Sequence, residues 1–395
     1  MPPIWTDVTR EFVRLEQWKA YARAARSLGL GYSAEKGYAA LAIPPRPALQ
    51  RLSETQADQM GLTAEERAQF DELAAQIDAR YRSFEIPTQF EDPTMYPSLA
   101  MIFDAAYDRL EASYPLDPLP LFATSALGDV NALMKREPET NTPVIFFDVG
   151  LFRFLQAFGT IAGWAIPVLS REQLSRDEEL AAVGPVRTMP MQAFDSFTDV
   201  FRRFVFAGTA RTTEADLPYP EHNRSATMLL LTYMEHFVMG HELAHIVLRH
   251  GQGSMSRDEA WQQEYDADEV GVALVTGISR DMVGSGALGF WAAEMALTGL
   301  HLLDRALAVA EYGDRKFSWI SQTHPDPLSR MQRLRENPEI PPEMIAGAGN
   351  LRATSQAAFQ KLWELAAAQL ILDRNGGRRP SVTWKQYSGS SFAAV

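Results

Sequence analysis

One segment limits the fold of this chain more than any other: "SATMLLLTYMEHFVMGHELAHIVLRHG", residues 225–251. It is apolar enough to be buried, yet it carries four of the chain's seven histidines, His236, His241, His245 and His250. Its length and the terminal Gly251 predict one long helix over 225–250. Glu235 and His236 interrupt its greasiest part, and Glu294 and His301 interrupt a second greasy stretch at 285–303. Neither is a clean membrane span, which needs about 20 mainly apolar residues. Both predict buried core helices. Buried imidazoles need hydrogen-bonding or ligating partners, so the fold must place polar groups around this helix.

Composition narrows those partners. The chain has no cysteine, so neither a disulfide framework nor a thiolate ligand or nucleophile exists. Any metal must be held by His, Asp or Glu. A net charge of −13 disfavours nucleic acid and anionic lipid, which attract basic surfaces. No nucleic-acid partner and no stable membrane insertion are expected. The opening "MPPIWTDVTREFVRLEQWKAYARAARSLG" is charged throughout and lacks the apolar stretch of a secretory signal, so a cytoplasmic protein is expected.

The remaining chain reads as α+β and mainly helical. Helices are expected over 1–29, 63–84 and 98–112, short strands within 120–134, and a turn over 135–141. "TPVIFFDVG", 142–150, is β-rich and of strand length, and a helix follows Gly150. "SRDE", 256–259, is a capping box that starts a second helix, expected to end near Thr276 with Gly277 as its stop. A third helix over 281–312, a loop "SQTHPDP", a short helix "LSRMQRLREN" and an amphipathic helix over 350–373 complete the chain before a loose tail at 374–395. The domain organisation expected is a helical region over 1–120, a catalytic domain over 121–345, and a C-terminal helix and tail over 346–395.

"HELAH" is His-Glu-x-x-His on the long helix. Positions i and i+4 share a helix face, so His241 and His245 can aim at one ion, with Glu242 beside it as a proton acceptor. Gly240 keeps that shoulder of the helix small. An extended motif with a third histidine is absent: Leu248 and Gly251 stand where Gly and His would be required. His250 reads as a last-turn histidine favoured by the helix dipole, and His236 as a packed or hydrogen-bonded residue. A third ligand is available in "EYDADEVG", 264–271. Glu264, Ala267, Asp268 and Gly271 form one stripe, whose small residues permit close approach to the first helix. Glu264 can reach the metal, and Asp268, one turn on, can accept an imidazole N–H.

These residues resemble the CAAX prenyl-protease and heat-shock-protease-X class of gluzincins, with a looser resemblance to soluble peptidases of the phage-exclusion type. The resemblance covers roughly 125–340. It implies a zincin-like catalytic domain with a small sheet, one Zn²⁺ per chain on His241, His245 and Glu264, and Glu242 as general base. A His-Pro loop with an arginine six positions after the histidine is a further family feature, met by His324, Pro325 and Arg330 in "THPDPLSR". It implies that His324 stabilises the oxyanion and that Arg330 supports the site or the substrate. "VNALMKREPETNTPVIFFDVGLF" is similar to the family's strand–turn–edge-strand segment. That likeness implies an edge strand over 143–149, carrying Phe146 and Phe147, which pairs with an extended peptide.

The function expected is a zinc-dependent endopeptidase acting on peptide or protein substrates. The alternative is a catalytically restrained zinc-fold binding or sensor protein. A cytoplasmic protease needs a covered cleft: the helical N-terminal third, the 154–222 insertion, or the C-terminal helix and tail is expected to cover it, and the tail 374–395 could lie in the groove.

Overall fold

The computed structural model describes residues 5–27, 86–114 (save 89, 93 and 94), 118–125, 130–165, 191–207, 224–251, 256–313 and 324–381. The helix expected over 63–84 and tail residues 382–395 lie outside them. Contacts divide the chain into two units. One comprises Met1–Ala105, Pro118–Leu127 and Leu133–Val149; the other comprises Ala106–Asp117, Gly128–Ala132 and Gly150–Val395.

In the first unit, helix α1 (Asp7–Ser27) and the start of helix α2 (Tyr96–Glu111) accompany strands β1 (Leu121–Ser125), β2 (Ala132–Arg136) and β3 (Pro143–Asp148). The sheet order is β1-β3-β2. β1 and β3 are parallel, with Leu121 opposite Val144 and Ser125 opposite Asp148. Alternate side chains point to opposite faces of a sheet. Leu121, Ala123, Val144 and Phe146 accordingly form one cluster with Trp5 and Val13. Phe122, on the other face, stacks on Tyr96 at 4.8 Å and meets Phe103 at 5.0 Å.

The edge-strand expectation for 143–149 is corrected here. β3 lies between β1 and β2, so neighbours on both sides engage it. Every residue of β3 is buried, Phe146 and Phe147 among them. Its run Val-Ile-Phe-Phe is apolar without alternation, as expected of a strand covered on both faces.

The second unit is helical. It holds α3 (Val149–Ala165), α4 (Met191–Arg202) with a π-helical turn over Arg203–Ala207, α5 (Arg224–Val247), α6 (Arg257–Val283), α7 (Ala287–Tyr312), α8 (Pro327–Glu336) and α9 (Pro342–Asn375). Among the described residues no helix is long and apolar enough to cross a membrane. α6 passes Gly277 and ends at Gly284, whose φ of 76° is the left-handed value that favours glycine. Gly277 is instead small for a neighbour: a Cβ there would stand 3.4 Å from the Arg109 guanidinium. α7 starts later than 281 and α9 earlier than 350. α9 runs through Asn375, and beyond it Ser381 N–H donates to the Val205 carbonyl at 2.8 Å, so the start of the tail is anchored.

Small residues set the helix spacing around α5. A Cβ on Gly240 would lie 3.2 Å from the Gly271 Cα, and one on Gly271 would lie 3.1 Å from the Phe237 carbonyl oxygen. α5 and α6 therefore touch backbone to backbone. Gly159 and Gly163 of the apolar α3 instead receive side chains of α5, those of Leu231 and Thr227. The buried Glu294 of α7 accepts from Arg335 of α8 at 2.6 Å and from Arg352 of α9 at 2.8 Å. This ion cluster around a buried carboxylate ties three helices together.

Candidate metal centre

Two local features aim the ligands. On α5, His241 and His245 are one turn apart, with their Nε2 atoms 3.2 Å from each other. On α6, the capping box forms as expected: Ser256 Oγ accepts from Glu259 N–H at 3.3 Å, and the Glu259 carboxylate accepts from Ser256 N–H at 2.8 Å. That start phases the helix so that Glu264, Ala267, Asp268 and Gly271 are all buried on one face. The glycine contact between α5 and α6 then brings Glu264 to the histidines. Its Oε2 lies 3.4 Å from His241 Nε2, and its Oε1 lies 3.5 Å from His245 Nε2.

The donor set fits a metal ion. Ligand atoms about 2.0–2.1 Å from a tetrahedral zinc stand ~3.3 Å from one another, close to the three separations found. His241, His245 and Glu264 are the group able to hold a metal among the described residues. Glu264 Oε2 is buried without a hydrogen-bond partner. A buried carboxylate oxygen in that state is costly unless a cation completes it.

Asp268 and Arg330 form the layer behind His241. Asp268 Oδ1 accepts from His241 Nδ1 at 3.0 Å, which leaves Nε2 free to ligate. Arg330, on α8, donates to both oxygens of Asp268 at 2.6 and 2.7 Å. All three side chains are buried. Arg330 is thus no exposed helix arginine, and the aspartate holds it in a two-pronged pairing. Its reach is set by α8, which Asp326 caps by accepting from Ser329 N–H at 3.0 Å.

His250 is the polar neighbour that sequence reasoning missed. Arg249 takes a left-handed φ of 57°, and His250 N–H donates to the His245 carbonyl at 2.8 Å. This turn folds the His250 ring back, so that its Nδ1 lies 2.9 Å from His245 Nδ1. His245 can donate from Nδ1 to His250 and keep Nε2 for a metal. The available signal was a histidine directly before the helix-terminating Gly251. His236 is hydrogen-bonded, as expected, with Nδ1 2.7 Å from the Thr232 carbonyl oxygen.

Electrostatics follow burial and these contacts. Burial lowers His241, but its hydrogen bond to Asp268 and the Glu264 carboxylate beside it outweigh that and raise the ring to about 10. Burial and the neighbouring His241 push His245 down to about 3. Glu264 stays ionised against burial, held down by His324 and His241. Burial pushes Glu242 up to about 7, and Glu264 adds to the rise against the opposing pull of His241. His324 has a half-exposed side chain whose Nε2 is 3.6 Å from Glu264 Oε1. The group therefore comprises three converging side chains that could hold a metal, an adjacent carboxyl and an open-sided histidine.

Residues 164–349 match the Peptidase U49 family model. No curated protein and no solved structure matches the chain. The Peptidase U49 match takes in α4 to α8 and the start of α9, and with them every residue of the cluster. It supports a peptidase, and so a peptide or protein substrate.

Asp268→Ala is expected to weaken zinc binding or slow turnover by ~10–100-fold, the usual size for a partner behind a ligand. Zinc competition titration and steady-state kinetics would read this. No change in either would reduce Asp268 to an ordinary buried ion-pair partner of Arg330.

Proposed function

We propose that this chain is a zinc-dependent endopeptidase of the gluzincin type. The observation that carries the reading is the convergence of His241, His245 and Glu264 at the spacing a tetrahedral ion requires, with Glu242 beside it. The Glu-x-x-Ala-Asp pattern at 264–268 and the His-Pro loop at 324–325 agree with it.

His241, His245 and Glu264 hold the ion in this reading. When bound, zinc supplies a Lewis acid and lowers the pKa of a water toward ~7. Glu242 follows His241 on α5 and is not fully buried, so it can reach a water above the cluster. It takes the proton as the carbonyl is attacked and later returns it to the leaving amine. His324 donates to the carbonyl oxygen as that atom gains charge. Asp268 and Arg330 hold the His241 ring in its ligating tautomer, and His250 does the same for His245.

The test is metal dependence on an unfolded protein substrate. One zinc per chain is expected, with hydrolysis lost on chelation and regained on adding zinc. Hydrolysis by protein proven free of metal would exclude this mechanism.

A further inference from the structure

Two pairs of adjacent arginines, far apart in sequence, meet in one place within the helical unit. Arg202 and Arg203 stand where α4 passes into its π-helical turn, and Arg378 and Arg379 follow the end of α9. The chain leaves α9 through Gly376 and Gly377, the latter with a left-handed φ of 94°. Arg378 N–H then donates to the Asp373 carbonyl at 3.0 Å, and Ser381 N–H donates to the Val205 carbonyl at 2.8 Å. These two bonds hold the Arg378–Arg379 stretch against the π-helical turn. The four arginines, with Asp199 and Phe206, line a cavity of about 430 Å³. That volume suits a small organic group.

The charges around this cavity do not cancel. Asp373 accepts from Arg202 Nε at 2.5 Å and from its Nη2 at 3.1 Å. Asp199 accepts from Arg202 and from Arg203, each at 3.3 Å. The two carboxylates thus hold the inner arginine pair in place. The outer pair is different. Arg378 Nη1 is 3.7 Å from Asp373, beyond hydrogen-bond reach. Arg379 donates from Nη1 to the Arg374 and Arg378 carbonyls and has no carboxylate partner among the described residues. Four arginines against two aspartates leave a surplus of two positive charges, in a chain whose net charge is −13. Like charges gathered in one cavity repel, and a bound anion relieves that cost.

We infer that this cavity is a binding site for a phosphate monoester. Such a group carries a charge of about −1.5 to −2 at pH 7, which matches the surplus. Guanidinium forks pair with phosphate oxygens two at a time, and Arg202 is already fixed by its aspartates. Phe206 is half-buried and gives the organic part an apolar wall. None of these residues belongs to the metal cluster, so the inference does not depend on the endopeptidase reading.

The experiment is calorimetric titration of zinc-loaded full-length protein with phenyl phosphate, phenyl sulfate and a phosphoserine peptide. Saturable binding of a phosphate ester is expected, and the tighter of the two esters tells a free small molecule from a phosphorylated side chain as the source. Phenyl sulfate carries one charge and should bind about tenfold more weakly than phenyl phosphate, having lost half the charge match. In the double variant Arg378→Ala, Arg379→Ala the affinity for the phosphate esters should fall by about tenfold or more, the usual loss for charge-assisted hydrogen bonds. Both side chains are exposed, so the circular dichroism and zinc content should stay as in the parent. No saturable binding of either phosphate ester overturns the inference. So does an affinity unchanged in the double variant, which would put the anion elsewhere, such as at the metal centre. Equal affinity of the parent for phenyl phosphate and phenyl sulfate overturns it independently of any variant.

Discussion

Glu242→Gln is expected to keep one zinc per chain and to lower hydrolysis of an unfolded substrate by about 10²–10⁴-fold, the range for a general acid–base group. The amide has nearly the same shape as the carboxylate but cannot accept the proton. His241, His245 and Glu264 keep their positions, because the substitution touches neither the glycine contact at Gly240 and Gly271 nor the Asp268 and Arg330 layer. Stability gives an independent check. Burial raises Glu242 to about 7 in the folded chain. A carboxyl with a raised folded pKa contributes stability below its unfolded pKa and loses it as pH rises through the folded one. In metal-free protein above pH 7, Glu242→Gln should therefore melt no earlier than the parent. Zinc content by elemental analysis, turnover and thermal melting together decide the case. Retained zinc with parental turnover would remove Glu242 from the mechanism.

Glu264→Ala should lose the metal. Two histidines on one helix turn would be left with a buried space where a carboxylate stood. The loss of zinc affinity should exceed the ~10–100-fold that partners behind the ligands cost. The fold should survive, since Arg330 keeps both of its bonds to Asp268. Competition with a chromophoric chelator measures the affinity, and circular dichroism checks the helices. Zinc held as tightly as by the parent would show that Glu264 is not the third ligand.

Parts of this site are legible in the amino-acid sequence, and for a shared reason. Helical periodicity and capping are local, so the i, i+4 spacing of His241 and His245, the Ser256 capping box and the buried stripe from Glu264 to Gly271 all follow from nearby residues. The small residues at 240 and 271 carry a longer-range message, because only glycines allow two helix backbones to meet as these do. Helix ends are less legible. Gly277 looks like a stop, yet the burial of Ile278 and Ser279 beyond it carries α6 on to Gly284.

What the sequence by itself determined is thus the chemistry on each helix: two imidazoles and a carboxyl on α5, and two carboxyls on one face of α6. The tertiary structure alone decided three other matters. It placed β3 between β1 and β2, since strand neighbours are chosen by distant segments and not by the strand's own residues. It buried Arg330 against Asp268, because the packing of α8 sets whether that arginine meets solvent or a carboxylate. It turned His250 back onto His245 through the left-handed Arg249, a conformation whose cost is met only once the surrounding fold holds the turn.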